Sequence, residues 1–139
     1  MSPKMINTIL VSFALFVAST LVAFSLAPAG SEACDVTIQI DVAPNVLNIN
    51  NQGEVVTVHT DIAYGAVVGS TVYLNGVSIQ SWKSDNRGNF VAKFNIEAIK
   101  DLPLDIGNYN TLELRGETTS GEMFCGAQEI LVVDKGPKK

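Results

Sequence analysis

Basic side chains are few in this chain, histidine occurs once, and the nucleophile motifs of catalysis are missing. Each shortage excludes something. Beyond residue 31 there are 8 basic and 14 acidic side chains, a net charge of −6, which argues against a nucleic-acid partner. No N-x-S/T sequon occurs, so N-glycosylation is not implied, and neither low-complexity tracts nor internal repeats are visible. The one histidine, His59, sits mid-strand with Thr57 and Asp61 on the same face. A base beside a carboxylate suggests proton transfer, yet a solvent-facing strand accounts for all three residues and no enzyme is expected. No cofactor is expected either.

What the chain does contain, early on, is a long apolar run. Ile9 to Ala27 is interrupted only by Ser12, Ser19, Thr20 and Ser25 and carries no charge. As a helix it would span roughly 28 Å, close to the ~30 Å hydrocarbon core of a bilayer. Its length favours a retained anchor. The flank favours cleavage, because Ala27-Pro28-Ala29 is an A-x-A pattern and Ser31-Glu32-Ala33 is a second acceptable site. Lys4 precedes the run, whereas Glu32 and Asp35 are the first charges after it, so the positive-inside rule places the N-terminus in the cytoplasm and the rest outside. Ala14-x-x-x-Ala18 is a small-xxx-small spacing of the kind that packs membrane helices together.

The remaining 108 residues suffice for one small domain with one core. The expected organisation is an apolar helix and linker over 1–31, a domain over 32–134, and a solvated basic tail over 135–139. Val36, Ile38, Ile40 and Val42 alternate with polar residues, the mark of a strand with one buried face. After Ala43-Pro44-Asn45 come a short Val46 to Ile49 piece and a second strand over Glu54 to Ile62. Ala63 to Gly69 reads as a loop. Thr71 to Leu74 runs into Asn75-Gly76, which suits a two-residue hairpin with positive φ at both positions, and Val77 to Trp82 is the returning strand. A polar turn, Lys83 to Asn89, leads into Phe90, Ala92 and Phe94 at period two. Asn95 then caps a helical turn through Leu102, which Pro103 closes. Thr111 to Thr118 and Met123 to Val133 are the last strands. Short strands with turn signals between them form the pattern of an antiparallel β-sandwich, with Trp82 at its edge or core.

Several stretches between Val36 and Val133 carry a resemblance, Gly53 to Val58 and Phe90 to Ile99 among them. Ile38-Gln39-Ile40-Asp41-Val42-Ala43-Pro44 with Val46 to Asn50, then Thr71 to Val77, then Leu112 to Thr118 with Gly121, Phe124 and Gly126, resemble secreted Ig-like β-sandwich domains of bacterial and archaeal surface proteins. The likeness implies an all-β fold, an extracytoplasmic module and no assigned activity; this chain departs from it as a single Ig-like antiparallel β-sandwich preceded by a transmembrane or signal helix. Relatives of that kind often carry a calcium-like loop where this chain has Asp85-Asn86-Arg87-Gly88-Asn89. Calcium wants six to eight oxygen ligands. Asp85 and Asn89 are therefore candidate ligands at most, and a plain hairpin turn is the favoured reading. First and last strands of such sandwiches often lie parallel and adjacent, which implies a Cys34–Cys125 disulfide. Lipidation of Cys34, metal binding, or a bond to a partner chain are the rival readings.

Two functions from different classes follow. One is a non-catalytic cell-surface module acting in binding, adhesion or assembly, a filament subunit included. The other is a single-pass accessory subunit of a membrane protein complex, its sandwich capping the outer side. Partners are proteins, as a homo-oligomer or a larger assembly, together with the membrane itself.

Overall fold

The structure, a computed structural model, describes residues 33–136. The apolar run Ile9 to Ala27, with Ala14 and Ala18, and the last three residues of the tail lie outside the described residues. Among the described residues no helix is long and apolar enough to cross a membrane.

Among the described residues ten strands make two sheets. In chain order they are β1 (Val36–Thr37), β2 (Ile40–Ala43), β3 (Val46–Asn48), β4 (Val55–Ala63), β5 (Val67–Leu74), β6 (Val77–Ser78), β7 (Ser81–Ser84), β8 (Asn89–Asn95), β9 (Tyr109–Thr118) and β10 (Met123–Val133). One α-helix among the described residues, α1 (Ile96–Lys100), follows β8. The six-stranded sheet runs β1-β10-β9-β5-β6, with β3 also on β10; the four-stranded sheet runs β2-β4-β8-β7. Both β1 and β3 lie parallel to β10, and every other pairing is antiparallel.

The core lies between the sheets because each strand alternates. Leu47, Val72, Leu74, Leu112, Leu114, Phe124, Ile130 and Val132 point inward from the larger sheet, and Val42, Val56, Val58, Phe90, Ala92 and Phe94 from the smaller one. Burying each large apolar side chain contributes about 1.5–3 kcal/mol against leaving it in water. Ile96 and Ile99 of α1 join the same cluster. The helix starts where expected: the Asn95 side-chain oxygen accepts from the amides of Glu97 at 2.8 Å and Ala98 at 3.3 Å.

Two expected strands are broken by the architecture. The Val36 to Val42 alternation is continuous, yet the chain leaves the six-stranded sheet after Thr37 and enters the four-stranded one at Ile40. At the crossing the Ile38 amide still bonds the Cys125 carbonyl at 2.9 Å, while the Gln39 amide has already turned to the Asp61 carboxylate at 3.0 Å. Gly126 permits the close pass, since a Cβ there would come within 2.6 Å of the Ile38 carbonyl oxygen. Likewise Val77 to Trp82 is two strands in different sheets, β6 and β7. The loop expected over Ala63 to Gly69 is shorter than that: a 3-10 turn at Tyr64–Ala66 is followed directly by β5. The Asn75-Gly76 hairpin is present, with φ of 47° and 86°.

Candidate functional site

β9 turns Leu112, Leu114 and Gly116 inward, which leaves Glu113, Arg115 and Glu117 on the outer face of the six-stranded sheet. β10 runs beside it with Cys125 opposite Arg115 and Met123 opposite Glu117. On the other flank β5 sets Tyr73 opposite Arg115. Sequence periodicity therefore brings a cationic, two acidic and one aromatic side chain to one face.

That face is not flat, because β5 departs from register. Val68 pairs with Glu117 and Tyr73 with Arg115, so extra β5 residues bow out over a two-residue advance of β9. Thr71 mends the interrupted ladder. Its hydroxyl donates to the Val68 carbonyl at 2.7 Å and accepts from the Glu117 amide at 2.9 Å. The result is an open groove of about 510 Å³ lined by Ser70, Thr71, Tyr73, Arg115, Glu117 and Met123 among others. Arg115 is oriented within it, its Nε donating to Glu113 Oε1 at 3.2 Å. Tyr73 is 45% exposed.

The bulge rests on the other sheet's edge. Trp82 of β7 lies against Gly69 so closely that a Cβ on Gly69 would stand 2.2 Å from the indole. Trp82 thus caps the sandwich edge, 40% exposed. This groove had a signal in the sequence, the Gly69-Ser70 pair inside an otherwise strand-like stretch, since glycine within a strand often marks a bulge. Its convergence with Arg115 and Glu117 had none, because register between strands far apart in sequence is not written in either strand.

The cysteines meet at the end of this face. β1 pairs in register with β10, Val36 opposite Phe124 and Thr37 opposite Cys125. Asp35 clamps the join: its amide donates to the Met123 carbonyl at 2.8 Å and its carboxylate accepts from the Met123 amide at 2.9 Å. Cys34 and Cys125 form a disulfide with Cα atoms 5.9 Å apart, within the usual range, closing a sequence separation of 91.

The opposite outer face, on the four-stranded sheet, holds the other singled-out residues. His59 is exposed and stands opposite Asp41 of β2 and Val91 of β8. Thr57, His59 and Asp61 share that face, but the Asp61 carboxylate is engaged by the Gln39 amide. In the β7–β8 turn, Asp85 Oδ1 accepts from the amides of Arg87 at 2.8 Å and Asn89 at 2.9 Å, and Gly88 takes φ of 87°. Those two bonds, Asn89 first and then Arg87, hold the Asp85 carboxyl below its ordinary pKa. The side chain fastens a turn, and no other His, Cys, Asp or Glu among the described residues gathers with it into a group of three.

Compared with known proteins, the chain matches no family model, no curated protein and no solved structure.

Proposed function

We propose that this chain is a non-catalytic Ig-like β-sandwich module held outside the cytoplasmic membrane by its Ile9 to Ala27 helix, working through binding or assembly with other proteins. The observation that carries the reading is the disulfide between Cys34, two residues before the first strand, and Cys125 near the start of the last one. Such a bridge persists in oxidising compartments outside the cytoplasm. The strand order supports the Ig-like likeness: the first strand changes sheets, and early segments lie parallel to the last strand. The groove beneath the β5 bulge, with its exposed Tyr73 beside Arg115, is the contact surface, because exposed aromatic and arginine side chains dominate recognition energetics. The accessory-subunit reading uses the same face against a neighbouring subunit.

The test is the intact mass of the protein from its native cells, before and after reduction. The expected mass begins at Met1 or Ser2 and rises by two hydrogens on reduction. A mass beginning near Gly30 would replace the tethered module with a released one. A Cys34 start with added acyl mass would make it a lipoprotein, and an unchanged mass on reduction would remove the oxidised bridge.

A further inference from the structure

Beside the groove, the disulfide has a third neighbour. The two sulfur atoms and a carboxylate oxygen of Glu113 all lie within 4.8 Å of one another. We propose that in the reduced protein Cys34, Cys125 and Glu113 bind a zinc ion, water supplying the fourth ligand, so that this end of the sheet alternates between a disulfide and a metal site.

The distances permit it with little movement. Zinc holds thiolates at about 2.3 Å and carboxylate oxygens at about 2.0–2.2 Å in a tetrahedron, which places ligand atoms roughly 3.3–3.8 Å apart. Two of the three ligands are fixed by paired strands. Cys125 lies within the β9–β10 ladder, and Glu113 is pinned by Asn75, whose amide donates to the Glu113 carbonyl at 3.0 Å and whose side-chain oxygen accepts from the Glu113 amide at 2.7 Å. Cys34 is the adjustable ligand, since it precedes β1 and is only partly covered. With a side chain 41% exposed, Glu113 leaves the ion a path in from solvent.

Charge and donor type select the ion. Two thiolates and a carboxylate outweigh a divalent cation, and Arg115, already bonded to Glu113 Oε1, offsets the excess while orienting the carboxylate from outside. Thiolate donors favour zinc over magnesium or calcium. The electron balance is simple. A dithiol reductant delivers two electrons, the S–S bond breaks, and two thiolates form and take the ion. In reverse, the thiolates pass two electrons to a disulfide oxidant, the S–S bond re-forms and zinc leaves. A chain not yet oxidised would thereby keep its first and last strands joined.

The test uses the full chain reduced with a phosphine and titrated anaerobically with cobalt(II), whose thiolate charge-transfer absorption reports sulfur ligation, followed by displacement with zinc. The reduced protein should bind and the oxidised protein should not. Glu113→Gln should weaken binding by about tenfold or more, at least what loss of an outer partner costs, and Cys34→Ser should weaken binding and roughly halve the charge-transfer band at saturation, one thiolate being left. If the reduced metal-free chain loses its β-sheet circular dichroism, zinc should restore it. Reduced protein that binds no better than oxidised, zinc that fails to refold an unfolded reduced chain, or Glu113→Gln affinity equal to the parent's would overturn the site.

Discussion

The outer faces of the two sheets use polar side chains in opposite ways. On the four-stranded sheet two acidic groups are tied into the backbone: Asp61 holds the Gln39 amide at the strand crossing, and Asp85 holds two amides of the β7–β8 turn. On the six-stranded sheet Glu113 and Arg115 bond each other, in a row with Tyr73 and the disulfide, over a groove opened by a bulge. Shared composition therefore yields one face devoted to its own turns and another whose side chains are directed at solvent. The proposed contact surface lies on the second.

The comparison breaks most severely at the disulfide. In the chain-entropy account, opening a closed loop of 91 residues removes about 4–5 kcal/mol of stability. Denaturant unfolding of Cys34→Ala/Cys125→Ala against the parent, both metal-free, measures this directly. A loss near zero would mean that β1 pairing alone secures the first strand, and that the bridge serves chemistry rather than stability.

A smaller break lies where the groove leans on the other sheet. Gly69→Ala forces a methyl group into the Trp82 indole, and overpacking of this kind costs about 1–3 kcal/mol. The indole is 40% exposed and has solvent to swing into, so the lower half of that range is expected. Tryptophan fluorescence should shift toward its solvated value in the variant. Unfolding midpoints of Trp82→Ala and Trp82→Ala/Gly69→Ala then separate the clash from any strain in β5, because with the indole gone the Gly69→Ala change should cost only the strain.

How much of this was legible in the sequence depends on whether information was local. Asn75-Gly76 declares its turn because positive φ at both positions is a property of those two residues. Asn95 declares its cap for the same reason, and Met123 to Val133 was readable to the residue. The crossing at Ile38-Gln39 was hidden, since a strand that changes sheets in a sandwich keeps one face inward and its alternation never breaks. The bulge was half visible, through Gly69 and Ser70. Glu113 lies near Cys125 through the short β9–β10 hairpin, but Glu113 as the neighbour of both sulfurs was invisible, because Cys34 arrives only through the long-range pairing of β1 with β10.

The smallest expected effect tests the other face. Asp85 has a depressed pKa in the folded protein, so it adds stability that is fully present above the ordinary carboxylate value of 3.8 and is lost as pH falls through the folded value. The parent should thus show an acid-side decline in unfolding midpoint, below about pH 4, that Asp85→Asn lacks in part. Asparagine keeps an oxygen acceptor, so the turn should close in the variant and its neutral-pH midpoint should fall only slightly. The same substitution should leave thiol reactivity and cobalt binding on the opposite face unchanged. A change in either would mean that the two faces are coupled through the core, and that the division between a self-fastening sheet and an outward-directed one is wrong.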